Sequence, residues 1–391
     1  MRRTPGRHCW RARPKSDCTL THVARMCPTV SEKPVSDPLS SCQLPINNEI
    51  HTMTISGLGP HGERAAPPER IALLADDIVA ARAGRFRVAI VLHTMASDWA
   101  KQQIAGIMAT FGDCETAVIE VVDCGFAPEA QVAALERLRG EKPDAIISIP
   151  VANSTVADAH RRISRDGIRL LLLDNVPTGL LPGSDYVALV SADNFGLGTI
   201  AAAFLAKRLA DGAAVGVLSY HAEFFATNER EIAFNKWMLM NRPDIRLVVR
   251  KFDSIQTAGS DASTLVSDHD DLAGLFVVWD TPAMEVVKAL ERAGRHLPVA
   301  TVDLGREAAI NLASGGMICG IGAQQPYLQG VAVAQTCVLA LLGKQTPDWV
   351  ALPGLAVSSD NVVESFQKVW RKQAPREVLV SAKLVKDHSA S

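Results

Sequence analysis

The sequence predicts an α/β protein made of two doubly wound parallel-sheet lobes, and three observations carry that prediction. Short apolar runs recur from Arg85 onward, each followed by a stretch with helical period, which is the pattern of repeating βαβ units. The length of 391 residues fits about two domains, each able to bury its own core. Aromatic residues make up only 5% while Ala, Val, Ile and Leu abound, a composition suited to helices packed on both faces of a parallel sheet.

The runs that read as strands are Phe86 to Leu92, Ala117 to Val122, Ala145 to Ile149, Leu170 to Leu173, Val187 to Val190, Val215 to Leu218, Leu247 to Val249, Leu275 to Val278, Val299 to Val302 and Met317 to Ile321. These are about ten strands. Two sheets of five or six suit this length better than one open sheet of ten.

Residues 1–68 read differently. They are rich in Pro, Ser, Arg and Gly without an apolar period, so composition places them in a disordered tail or leader. Arg2 and Arg3 are followed by no apolar stretch of signal-peptide length, and Leu39-Ser40-Ser41-Cys42 lacks one too, so no export signal is expected there. Met53 is an alternative start. Gly57-Leu58-Gly59-Pro60-His61-Gly62 matches G-x-G-x-x-G, but Pro60 falls where the phosphate-facing turn should enter a helix, so a loop is expected. Cys9, Cys18, Cys27 and His22 lack zinc-ligand spacing.

Charge narrows the partners. With 40 Lys and Arg against 42 Asp and Glu, the net charge is -2, and no cationic excess points to nucleic acid. The apolar stretch Val331 to Leu342 is broken by Gln335 and Thr336, so no membrane-inserted segment is expected. Cys114, Cys124, Cys319 and Cys337 sit in apolar surroundings and read as buried thiols. No metal ligand set or cofactor is implied.

In open α/β sheets ligands bind beyond the carboxyl ends of the strands. The residues there are polar: His93-Thr94, Asp123, Asp174-Asn175, Asp193-Asn194, Ser219-Tyr220-His221, Trp279-Asp280, Asp303 and Gln324-Gln325. Carboxylates and amides accept from hydroxyl pairs, and the nearby Trp99 and Trp279 offer apolar faces. A small sugar or polyol suits such a rim. Taken one at a time, each Asp or Asn could equally cap the next helix.

Together, VAIVLHTMASDWAKQQIAG (88–106), AIISIP and GIRLLLLDN (145–175), VSADN (190–194), FVVWD (276–280), VATVDL (299–304) and GAQQP (322–326) resemble the ribose-type periplasmic binding proteins, the sugar-binding components of ABC importers. The resemblance runs from about Arg85 to Trp370. It implies two Rossmann-like lobes joined by a three-crossing hinge: residues 69–193 with 325–352, and residues 194–324 with 353–370, followed by an extension over 371–391. It also implies a monomer, a periplasmic location, and a permease as partner.

The resemblance assigns ligand-binding positions one by one. Ser97 and Trp99 stand in the segment where the family has Asn-Pro-Phe-Phe, with Ala100 lacking the second aromatic. Asp174 falls on the ligand carboxylate, and Asn175 takes a place often held by Arg. Asn228 stands where a ligand Arg is usual, and Arg230 keeps the next basic position. Asp303 and Gln324 match the hydroxyl-binding Asp and Gln, while Trp279 replaces an Asn and supplies an aromatic face. These departures imply a small sugar or polyol other than ribose, held between Trp99 and Trp279, with no catalytic residue.

Two rivals share some features. Thr19 to Met26 with Thr29 to Ser31 resembles the start of the helix-turn-helix of lactose-repressor-type regulators, whose effector domains share this fold. Pro28, Pro34 and Pro38 oppose it, since interior Pro costs about 3 kcal/mol in a helix. A cytoplasmic sugar sensor is the related alternative. An enzyme would need His93 or His221 as a base, but no G-x-S-x-G, H-E-x-x-H or P-loop accompanies them.

Overall fold

The computed structural model describes residues 55–222 and 224–389. The zinc, export-signal and helix-turn-helix readings fall on residues 1–54 and lie outside the described residues. In chain order the first elements are α1 (Ala75–Gly84), β1 (Arg87–Leu92), α2 (Asp98–Asp113), β2 (Ala117–Asp123), α3 (Pro128–Glu141), β3 (Ala145–Ser148), α4 (Ser154–Arg165), β4 (Arg169–Leu173) and β5 (Ala188–Ala192). They are followed by α5 (Asn194–Ala206), β6 (Ala214–Tyr220), α6 (Phe225–Asn241), β7 (Arg246–Phe252), α7 (Ile255–Asp268), β8 (Leu272–Val277), α8 (Asp280–Arg292), β9 (Val299–Val302), α9 (Arg306–Ala313) and β10 (Ile318–Ala323). The chain closes with α10 (Pro326–Leu341), β11 (Trp349–Leu352), β12 (Leu355–Val357), α11 (Val362–Trp370) and α12 (Arg376–Ser389).

Two six-stranded sheets form, ordered β11-β5-β4-β3-β1-β2 and β12-β10-β9-β8-β6-β7. Every strand pair is parallel except β10 with β12. The two orders match, and apart from the opposite sense of β11 and β12 they repeat one topology, so each lobe has its strand-order reversal at its first strand, β1 or β6. Central strands bury both faces: Val88 to Leu92 of β1 is wholly inaccessible, as expected for an uninterrupted apolar run under helices on both sides. The edge strands β2 and β7 stay partly exposed.

The chain passes between the sheets three times, from β5 to α5, from β10 to α10, and from β11 to β12. The apolar-run reading found ten strands and not the last two. β11 and β12 have four and three residues and are separated only by Pro353-Gly354, too little chain to show a period.

Residues 55–68, placed by composition in the tail, lie along the first lobe. Ala66 N donates to Trp349 O at 2.8 Å and Ala66 O accepts from Ala351 N at 3.2 Å, so this segment adds a bridge to the edge strand β11. Gly57 to Gly62 makes a turn in which Leu58 bridges Arg64 and Gly62 has φ +81. The following residues return along this turn rather than entering a helix, and no phosphate loop forms.

Candidate functional site

The first-lobe half of the site is set by an unusually close helix crossing. A Cβ added at Gly106 of α2 would collide with the Tyr327 carbonyl of α10, and one at Gly330 with the Gln103 carbonyl of α2. Glycine at both positions therefore lets the backbones touch. That contact buries Gln103 and Gln329 completely between the helices, aimed at Asp174 beyond β4. Gln103 Nε2 donates to Asp174 Oδ2 and to Gln329 Oε1, both at 3.1 Å. Gln329 Nε2 donates to Asp174 Oδ1 at 3.4 Å and to Gln324 Oε1 at 3.0 Å.

Asp174 and Asp303 both follow strands with φ of +55 and +72. That conformation is uncommon outside glycine and often marks functional positions. Burial pushes the Asp174 carboxyl up to about 7, against the opposing pull of Arg230 and Gln103.

The second-lobe half repeats the device. A Cβ at Gly198 of α5 would collide with the Arg230 carbonyl of α6, so these helices are also in backbone contact. Arg230 is thereby buried, with Nε donating to Asn194 Oδ1 at 2.9 Å and Nη1 to Val278 O at 3.0 Å. Its Nη1 also reaches Asp303 Oδ2 at 3.4 Å, and Gln324 Nε2 donates to Asp303 Oδ1 at 2.6 Å. One side-chain relay thus runs from Gln103 and Asp174 through Gln329, Gln324 and Asp303 to Arg230 and Asn194. It passes through two of the three crossings. Asp280, the first residue of α8, accepts from Gly305 N at 2.5 Å, and burial beside Asp303 raises its pKa.

The lobes are closed on each other by exchanged aromatics. Trp99 of α2 packs against the cores of both lobes, and Phe225 of α6 packs against the first-lobe core. Phe225 N donates to Asn175 Oδ1 at 3.0 Å, and Gln102 Nε2 donates to Trp370 O at 3.2 Å.

Of the nine residues named from sequence, Asp174, Arg230, Asp303 and Gln324 share the relay. Asn175 joins the lobes through Phe225. Ser97 caps α2, its Oγ accepting from Ala100 N at 3.1 Å. Trp279 sits at the start of α8 beside Tyr220 and Phe252, with ring centroids 5.2 and 5.4 Å away. Asn228 lies half-buried in the first turns of α6, two residues before Arg230. His93 and His221 do not form a pair: His93 is enclosed by Trp99 and Phe126, whereas His221 is exposed beside Asp253.

Sequence reasoning missed Gln103, Gln329 and Phe225. Gln103 and Gln329 lie inside helices and follow no apolar run, and neither they nor Phe225 fall on a position that the family resemblance assigns. The available signal was a Gln within three residues of a helical Gly in both α2 and α10.

Residues 88–345 match the family model described as periplasmic binding protein domain. The ribose import binding protein of Bacillus subtilis is 26% identical over 238 residues, covering 60% of this chain and 74% of that protein. The D-ribose/D-allose-binding protein of Pseudomonas aeruginosa is 25% identical over 271 residues, covering 67% and 84%. Among solved structures, an ABC transporter solute-binding protein from Agrobacterium vitis bound to alpha-D-tagatopyranose superposes with a TM-score of 0.66 at 22% identity, covering 74% of this chain and all of that one. One from Mycobacterium smegmatis with bound glycerol gives 0.65 at 19% identity, covering 74% and 99%. The two repeated sheets, the three crossings and the matched span agree, and the chain belongs to the periplasmic binding protein domain family.

Proposed function

We propose that this chain is the substrate-binding component of an ABC-type carbohydrate importer and holds a small sugar or polyol between its lobes by hinge closure. The carrying observation is the relay from Asp174 to Asp303 and Arg230, which gathers carboxylate and amide groups from both lobes at the strand ends. Carboxylates there accept from adjacent hydroxyls, and a guanidinium fixed by Asn194 and Val278 can donate to a ring or hydroxyl oxygen. The named ligands of the relatives, ribose and allose, are of this class.

In this reading Asp174, Asn175, Asn228, Arg230, Asp303 and Gln324 contact hydroxyls, Trp99 and Trp279 cover the apolar faces, and Ser97 shapes the entry to α2. The protein works as a monomer in the periplasm, delivers to a permease and performs no chemistry on its ligand. Among the described residues no helix is long and apolar enough to cross a membrane.

The test is titration calorimetry of the full chain with D-ribose, D-allose, D-tagatose, D-arabinose, D-fucose and glycerol. Saturable one-to-one binding that weakens at least tenfold in Asp303→Asn supports the reading. Unchanged affinity in Trp279→Ala would remove Trp279 from the site.

A further inference from the structure

Three buried polar atoms on the first-lobe wall have no hydrogen-bond partner among the described residues: Trp99 Nε1, Gln103 Oε1 and His93 Nδ1. A buried orphan of this kind costs roughly 1–3 kcal/mol, and native structures keep few without a reason. These three are neighbours. Trp99 and Gln103 are one turn apart on the same face of α2, and the His93 ring meets the Trp99 ring edge-on at 5.7 Å between centroids.

Their chemistry is complementary. The indole nitrogen can only donate. Gln103 Nε2 is committed to Asp174 and Gln329, which fixes its Oε1 as an acceptor. Burial pushes His93 down to about 4, so its ring is neutral at physiological pH and brings no cation. Resting on the reading above, we propose that Trp99, Gln103 and His93 form a hydroxyl subsite that ranks uncharged sugars by one hydroxyl and rejects their acid and phosphate forms.

A hydroxyl accepts from the indole N–H and donates to Gln103 Oε1 at once. A carboxylate or phosphate oxygen has no proton to give Gln103 and would approach the Asp174 carboxyl. Arg230, the buried cation of the relay, is held on the second-lobe side by Asn194, Val278 and Asp303.

The experiment takes the tightest-binding sugar of the panel, its monodeoxy analogues, and its aldonic acid and phosphate ester. Each is titrated into the full-length wild type and into Trp99→Phe, which keeps an aromatic ring and removes the N–H. Melting temperature confirms that the variant folds, and Gln103→Leu provides the second variant. Wild type is expected to lose about tenfold in affinity for one deoxy analogue, and the variant to lose about tenfold for the parent sugar but nothing further for that analogue. The acid and phosphate should bind at least a hundredfold more weakly than the sugar. If both variants rank parent and deoxy sugars as wild type does, or if the acid binds as well as the sugar, the subsite is overturned while the binding function stands. If no sugar of the panel binds wild type, the functional reading itself falls and the subsite with it.

Discussion

Asp174 sets the most direct residue-scale expectation. Its carboxyl titrates at about 7 in the folded chain because it is buried, whereas an unfolded aspartate titrates near ~4. Between those values the folded chain holds a proton that the unfolded chain has lost, so this group's contribution to stability falls as pH rises through the window. Urea unfolding of Asp174→Asn and wild type should therefore show the difference moving in the variant's favour from pH 5 to pH 7, then levelling. A pH-independent difference would contradict the burial argument.

His93 and His160 act in the opposite direction. Burial lowers both to about 4, so their contribution is complete above the unfolded value near ~6.5 and is lost as pH falls toward 4. His160 is held by Ser148 Oγ at 2.9 Å and Val156 O at 2.8 Å. Arg230 is the residue least tolerant of change. Arg230→Leu leaves Asn194 Oδ1 and Val278 O without this donor and Asp303 without its cation, and breaking a buried pair costs on the order of 3–5 kcal/mol; denaturant unfolding would read the loss. At this scale the strand-end rule located Asp174, Arg230's partner Asp303, and Gln324, because polar residues after apolar runs stand out. It did not reach Gln103 or Gln329, which lie inside helices beside Gly106 and Gly330 rather than after an apolar run.

At the scale of elements, the two glycine-mediated crossings determine where the site side chains point. Gly106→Ala or Gly330→Ala forces α2 and α10 apart, and overpacking of this kind costs roughly 1–3 kcal/mol. Both variants should also bind sugar more weakly, because Gln103 and Gln329 move with their helices; calorimetry with unchanged affinity would show that the crossing does not position the site.

The first crossing carries a second device. Asp193 caps α5 by accepting from Gly196 N at 2.9 Å, and it also accepts from Ser56 N at 2.7 Å and Gly57 N at 3.0 Å. Asp193→Ala should cost about 1–2 kcal/mol from the lost cap and speed proteolysis near residue 56; an unchanged cleavage rate would mean that this clamp does not hold the segment. The strand runs and the helices between them were legible because a buried parallel strand is a nearly continuous apolar run. The docked segment 55–68 was not, because its attachment rests on backbone hydrogen bonds to β11 and Asp193 rather than on its own apolar pattern.

Across the whole molecule, two lobes of the same topology close through reciprocal contacts, Trp99 reaching the second-lobe core and Phe225 the first. Contacts made across the cleft favour this arrangement over any in which the lobes separate there. Phe225→Ala should weaken closure and enlarge the radius of gyration in small-angle scattering with saturating ligand.

The most direct measurement is titration calorimetry of the full chain against the sugar panel, paired with Asp303→Asn. The account predicts saturable one-to-one binding of at least one uncharged sugar or polyol, weakened tenfold or more by the substitution. Heat no greater than dilution for every sugar, or wild-type affinity in Asp303→Asn, would contradict it.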